Sequence, residues 1–321
     1  MKKESGKKPV GRKGSKKRSL KDAKGRRWRA RLGLSAAVAV VLGIAAMLLQ
    51  ASTLHVKRAT VYLPDLPAAF EGRTILYVSD IDICGINSVE RAADAIMQLS
   101  SLSPDILLLG GDYTSQSLVS RLDRIGGEET AIDADKIAER SRFFHIISGF
   151  QAPLGRFVIG APEDGDLSSL SATTESVGFM PLIDAALPVT LDGQTLWLVG
   201  ICREDPSWQT AVRSFARDDC VICTAFGPSC YPGILTREST NGGPWVDLLL
   251  SGHTHGGQIR ILGTSSLELS SLERHYLSGW SRENWIPALT TSGLGCESVN
   301  LRLGTQAEAW LISLTGVQGE A

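Results

Sequence analysis

The segment Ser251-Gly252-His253-Thr254-His255-Gly256-Gly257-Gln258 carries two of the chain's five histidines at positions i and i+2. Its glycines let backbone and ligand approach closely. Two other clusters offer carboxylates, Ser79-Asp80-Ile81-Asp82 and Gly110-Gly111-Asp112. Any one Asp of this kind is more often a helix cap or a turn residue. Neutral imidazoles combined with carboxylates, however, suit zinc, manganese or iron. Asp80, Asp82, Asp112, His253 and His255 are therefore the candidate metal ligands.

Each cluster follows an apolar run that reads as a buried strand: Arg73–Ser79 before the first, Asp105–Leu109 before the second and Val246–Leu250 before the third. Between and after them the pattern alternates. Helical periodicity is expected over Ser88–Ser100, Ala134–Phe150, Thr173–Ala186 and Trp208–Arg217. Further strands are expected at Arg156–Ile159, Asp219–Thr224, Ile286–Thr290 and Ala309–Leu314, and at Val189–Leu191 and Thr195–Gly200 around an Asp192-Gly193 turn. Residues 54–70 read as an extended lead-in, and a late strand is expected around Gln258–Leu262. Strand–helix alternation followed by β-rich sequence suggests two packed sheets with helices outside. In such sheets chemistry collects at the carboxyl ends of the strands.

The net charge of −1 over 321 residues hides an asymmetry. Residues 1–31 hold 15 of the 33 Lys and Arg and two of the 34 acidic residues, so this segment is +13 and the remainder −14. No charge occurs between Leu32 and Lys57, and the run LGLSAAVAVVLGIAAMLL (residues 32–49) is almost wholly apolar. Eighteen helical residues reach about 27 Å, enough to cross a bilayer core. With the basic block before it, the N-terminus is expected in the cytoplasm and the main domain outside. A cleaved secretory signal and a twin-arginine signal around Arg26-Arg27 are the alternatives. The expected domains are a disordered basic tail (1–31), a single-pass anchor in the cell membrane (32–53) and a folded domain (54–321). Membrane lipid is the expected partner of the tail. Nucleic acid is not, since Trp28 is its one aromatic residue and the folded part is acidic. Six cysteines permit disulfides without requiring them, and Cys220-x-x-Cys223 lacks a second pair at zinc-site spacing. His145 reads as a core-facing helix residue, and His275 as a residue near the cleft.

In their order, the strand–Asp, strand–GGD and GHTHGGQ motifs, with Ser292-Gly293-Leu294-Gly295 and Leu301-Arg302-Leu303 later, resemble the calcineurin-like metallophosphoesterases. The likeness is to their bacterial membrane-associated branch and covers residues 72–315. It implies an α/β fold, a four-layer β-sandwich flanked by helices, here preceded by one transmembrane helix. It also implies a phosphoric ester hydrolase acting on a phosphate-ester substrate at the outer membrane face. In that family a D-x-H motif supplies the first metal, the Asp of GD bridges two metals, and the last His of GHTH belongs to the first metal. Asp80, Asp112, His253 and His255 match, and Asp82 stands where the D-x-H histidine would be. A GNHD motif and a strand-end His normally serve the second metal and catalysis. Here Gly160-Ala161-Pro162-Glu163-Asp164 puts Ala161 at the Asn position and Pro162 at the catalytic His, and Phe226 replaces the strand-end His. Glu163 or Asp164 is the available substitute. The resemblance thus implies one divalent ion (Mn, Zn or Fe) rather than two, and leaves open an inactive, membrane-anchored binding module.

Overall fold

Apolar runs of four or five residues, closed off by glycine, proline or aspartate, form the central strands. The computed structural model of the chain describes residues 13–85, 87–115 and 134–317. It divides into two units, residues 1–47 and 48–321. Helix Lys13–Ser52 begins inside the basic segment expected to be irregular. Its Arg31–Ser52 stretch is long and apolar enough to cross a membrane. Residues 1–12 of the expected tail lie outside the described residues.

The larger unit is a mixed α/β structure built on two six-stranded sheets. Its strands are β1 (Leu54–Tyr62), β2 (Thr74–Val78), β3 (Ile106–Leu109), β4 (Gly155–Val158), β5 (Met180–Pro181), β6 (Ala185–Leu191), β7 (Gln194–Ile201), β8 (Val221–Ala225), β9 (Leu248–Ser251), β10 (Arg260–Ile261), β11 (Thr264–Ser265), β12 (Gly279–Glu283), β13 (Ile286–Thr290) and β14 (Ala307–Thr315). The first sheet runs β1-β14-β2-β3-β4-β5, and the second β12-β13-β9-β8-β7-β6. β2 through β5 are mutually parallel, as are β13, β9, β8 and β7. Strands buried on both faces read as continuous apolar runs, which is why β2, β3 and β9 stand out in the sequence.

Alternation along β2 and β3 sends Ile75, Tyr77, Ile106 and Leu108 into a core shared with Leu196, Leu198 and Leu250 of the second sheet. The intervening Leu76, Val78, Leu107 and Leu109 pack against residues of helices Val89–Gln98 and Ala134–Ile146. The outward face therefore needs a helical cover, and the aromatic group Tyr113, Phe143, Phe144 and Phe179 supplies its densest part. Phe144 meets Tyr113 edge-on at 4.9 Å and Phe179 at 5.5 Å.

Four local expectations are corrected. The helix expected over Thr173–Ala186 is Leu167–Ser176. Gly178 at φ 80 ends it, and the following residues enter β5 and β6. The helix expected over Trp208–Arg217 stops at Ala211, where Val212 turns to extended backbone at φ −80 and ψ 124, and Trp208, Val212 and Phe215 are all buried. The extended lead-in is an integral edge strand, β1, parallel to β14 along nine residues. His145 is exposed, its Nδ1 on Ser141 O at 2.8 Å, because Phe143 and Phe144 take the core-facing positions. All six cysteines are free and five are buried. Burial raises the thiol pKa values of the five buried cysteines, Cys202 to about 12, which leaves them packing groups, while Cys84 is partly exposed.

Phe144→Ala should cost about 3–5 kcal/mol, the usual range for emptying a buried phenyl site. Urea denaturation of the variant against the parent chain measures it, and a loss below about 1 kcal/mol would mean the cluster is not close-packed.

Candidate metal centre

β2, β3 and β9 deliver their carboxyl ends to one place. Past the strand ends the parallel ladder continues through the loops. Asp80 N donates to Gly111 O at 3.0 Å, Ile81 N to Asp112 O at 2.8 Å and Asp82 N to Asp112 O at 3.1 Å. Asn87 pins the outgoing turn, Nδ2 donating to Ile81 O at 2.6 Å and Asp82 O at 3.1 Å. The facing loop is pinned by Asp164, whose carboxylate accepts from the backbone amides of Asp112, Tyr113 and Ala161 at 2.7–3.0 Å. Asp164 is thus committed to backbone, and Glu163 beside it is exposed.

Asp80 is enclosed by glycines that admit no side chain. A Cβ on Gly252 would lie 2.3 Å from Ser79 Oγ and 2.5 Å from Asp80 Oδ2, and one on Gly293 would lie 2.6 Å from Asp80 Cβ. Asp80 accepts from Ser79 Oγ at 2.8 Å and from His253 N at 2.7 Å. Thirteen described non-glycine residues have positive φ, and Asp80, Asp82, Asp112, His253 and His255 are five of them. Left-handed backbone costs an L-residue roughly 1–2 kcal/mol. Strain of this kind, concentrated on five polar residues, is a mark of function.

One carboxylate oxygen from each of Asp80 and Asp112 and one ring nitrogen of His255 lie within 4.8 Å of one another, all three residues buried. Two ligands of one ion stand at most about 4 Å apart, so closing this set on a cation draws the atoms together by up to about 0.8 Å or somewhat more. Asp82 adjoins it, with Oδ2 3.6 Å from His255 Nδ1. Both Asp82 oxygens and His255 Nδ1 are shielded from solvent with no hydrogen-bond partner. Orphaned buried polar atoms are costly in a native fold. The Asp82 carboxylate and the neutral His255 imidazole, left without partners beside Asp80 and Asp112, fit a bound divalent cation.

The electrostatics agree. Burial pushes the Asp80 carboxyl up to about 6. Burial, then the Asp80 charge, raises Asp82, and burial, then the Asp82 charge, raises Asp112. Burial, then Arg302 and His253, lowers His255 and keeps it a neutral ligand. Arg302 is fully buried and donates to the carbonyls of His255, Ser292, Gly293 and Gly295. Its positive charge lowers the pKa values of Asp80 and Asp82, though burial outweighs it.

His253 is placed differently. Its Nε2 lies 3.3 Å from Glu273 Oε1, and Phe226 meets its ring edge-on at 5.5 Å. Burial alone would lower its pKa, but the hydrogen bond to Glu273 and the charges of Glu163 and Asp80 outweigh this and hold it up at about 9. Glu273 is fixed in turn by a capping box with Ser270. Glu273 is the site residue that sequence reading missed. Ser270-x-x-Glu273 is a visible capping signal, but nothing local in sequence relates it to His253. Ala161 and Phe226 are buried and Pro162 exposed, so the positions expected to serve a second ion offer no donor atoms. His275 is exposed and packs edge-on against Tyr276.

The chain is 25% identical over 247 residues to the Bacillus subtilis (strain 168) protein YpbG, across 76% of this chain and 81% of that one. To the phosphodiesterase YaeI of Escherichia coli (strain K12) it is 23% identical over 266 residues, across 81% of this chain and 87% of that one. No family model matches it. Among solved structures, it aligns with an archaeal phosphodiesterase at TM-score 0.32 and 12% identity, over 68% of this chain and 82% of that one. It also aligns with GAP50, the anchor in the inner membrane complex of Plasmodium, at TM-score 0.33 and 10% identity, over 70% and 71%.

Two outcomes follow from the geometry. Gly252→Ala should displace Asp80 and weaken cation binding by more than about tenfold in a folded protein, measured by calorimetric titration with manganese beside circular dichroism. Unchanged affinity would mean that Asp80 is not a ligand. For pH, the Asp80 pKa of about 6 in the folded state lies above the unfolded value of about 3.9. The folded state then binds more protons, so metal-free stability falls as pH rises from about 4 through 6, and further as Asp82 and Asp112 ionise. A divalent cation should abolish that decline. Thermal melts across this range, with and without manganese, test both parts.

Proposed function

We propose that the folded unit is a metal-dependent phosphoric ester hydrolase of the calcineurin-like type, with the four-layer α/β arrangement of that family. In this reading it uses one divalent ion (Mn, Zn or Fe) held by Asp80, Asp82, Asp112 and His255, with His253 at the margin. The observation that carries the reading is the set of orphaned atoms, Asp82 Oδ1 and Oδ2 and His255 Nδ1, beside Asp80 and Asp112. Relatedness to the Escherichia coli phosphodiesterase over 81% of this chain supports the reaction class, a phosphate ester as substrate. A cation at such a site neutralises phosphoryl oxygens and makes a bound water more acidic. The chain's own residues do the rest. Arg302 and the Asn87 and Asp164 clamps hold the carboxylates in place, and the Glu273-supported imidazole of His253 offers a positive hydrogen-bond donor where the second ion of the family would sit. The helix Arg31–Ser52 supports a single-pass anchor in the cell membrane, and the basic residues before it favour an N-terminus inside and a folded unit outside.

A second reading is a membrane-anchored binding module without turnover. The ring edge of Phe226 against His253, with Ala161 and Pro162 beyond, favours it, since a hydrolytic site loses its usual imidazole there.

Elemental mass spectrometry of the full chain, purified after incubation with manganese and zinc, should find one ion per chain. Asp112→Asn should lower cation affinity by more than about a hundredfold and abolish hydrolysis of bis(p-nitrophenyl) phosphate. One ion with no turnover selects the binding module. Two ions would overturn the single-ion assignment.

A further inference from the structure

Immediately after the GHTHGGQ loop the chain makes a two-stranded hairpin, β10–β11. At its tip stand Ile261, 60% exposed, and Leu262, 102% exposed. Leu262 has φ 51 and Gly263 φ 85, the two left-handed positions of a tight hairpin turn. Such a turn favours Asn, Asp or Gly at its first position. A leucine there adopts an unfavourable backbone and gains no burial within the folded unit. A residue that breaks both local rules without compensation marks a surface that is covered by something else.

The surroundings of the hairpin say what covers it. Its base is tied to the segment after Arg302: Arg260 N donates to Leu303 O at 2.8 Å, and Leu303 N donates to Gln258 O at 3.0 Å. The next residue, Gly304, donates its amide to Gln50 Oε1 at 3.3 Å. Gln50 belongs to the last turn of the apolar Arg31–Ser52 stretch. The same end of the fold carries the start of β1, where His55 is in register with Glu308. Glu308 N donates to Gly293 O, beside Asp80. The end of the apolar helix, the hairpin base and the metal centre are thus joined within the larger unit by a few hydrogen-bonded residues. The other strongly exposed tip, Trp285, precedes β13, at the opposite end from Thr290 and the site.

We propose that the Ile261-Leu262 tip inserts into the same bilayer that holds the apolar helix, as a second attachment that keeps the metal centre at the membrane surface, facing phosphate esters carried there. Arg260, exposed at the hairpin base, is suited to the phosphate layer beneath the inserted tip. Membrane insertion supplies the apolar environment that the leucine lacks in the folded unit. The inference rests on the anchoring and hydrolase readings above, and its test separates them.

The experiment uses the full chain reconstituted in vesicles of phosphatidylethanolamine and phosphatidylglycerol. Nitroxide labels are placed at Leu262→Cys or, at the far end of β14, at exposed Val317→Cys, each in a Cys84→Ser background. Collision with oxygen against a water-soluble nickel chelate reports depth. The label at 262 should be immersed and the label at 317 aqueous. Two aqueous labels on chains that float with vesicles would overturn the insertion alone. Chains that do not float would overturn the anchor and the insertion together. Strong spin–spin coupling at 262 with an aqueous label would assign the tip to a second copy of the chain and overturn the proposal. Independently, the double variant Ile261→Asp/Leu262→Asp should hydrolyse a vesicle-embedded p-nitrophenyl phospholipid about tenfold more slowly, with bis(p-nitrophenyl) phosphate unaffected. Equal loss on both substrates would overturn the proposal. Absent hydrolysis of either would count against the hydrolase reading, and the depth measurement would still decide insertion.

Discussion

Three carboxylates, Asp80, Asp82 and Asp112, are buried together beside an uncharged imidazole, and both Asp82 oxygens have no hydrogen-bond partner among the described residues. Taking one carboxylate out of water is costly, and placing others beside it is more so. The rest of the site is arranged around that repulsion. Arg302, fully buried and held by backbone carbonyls, contributes a fixed positive charge that lowers the pKa values of Asp80 and Asp82, alongside the charge of His253 on Asp80. It reduces the problem without removing it, and a divalent cation is the chemical species that would complete the balance.

Holding such a cluster demands a stiff frame. The parallel strands β2, β3 and β9 fix where the loops begin, and the continued backbone ladder between residues 80–83 and 111–113 fixes where they go. All five candidate ligands have left-handed backbone, and Asp80, Asp112 and His255 converge. Glycines at 252, 293 and 295 let neighbouring segments close over Asp80 and Asp82 at distances no side chain would allow. The fold thus stores strain at the strand ends and compensates for it in the double core, where nearly every residue of β2, β3, β8 and β9 is fully buried.

The departures from the pattern that the resemblance implies are equally physical. At the positions where an asparagine and two histidines are expected, Ala161, Pro162 and Phe226 bring no side-chain donors. His253 is instead drawn to Glu273, a residue from a separate short helix. The result is a buried Asp80–Asp112–His255 cluster with an imidazole–carboxylate pair beside it.

The sequence by itself determined the central strands, because residues buried on both faces must be apolar without interruption, and it determined the apolar helix by length and composition. It also determined the five candidate ligands, because histidines and aspartates among glycines at strand ends are chemically distinctive. Tertiary structure alone decided that Asp80, Asp112 and His255 converge, that Asp164 braces the amides of Asp112 and Tyr113 and that Glu273 meets His253, since these contacts join residues 20 to 175 positions apart and no local pattern encodes them. It also decided the short elements. Thr173–Ala186 has helical spacing, yet Gly178 and Pro181 divide it and the second half is recruited as sheet edge. Local propensity is weak beside the burial of a whole strand, so boundaries of this kind are set by packing.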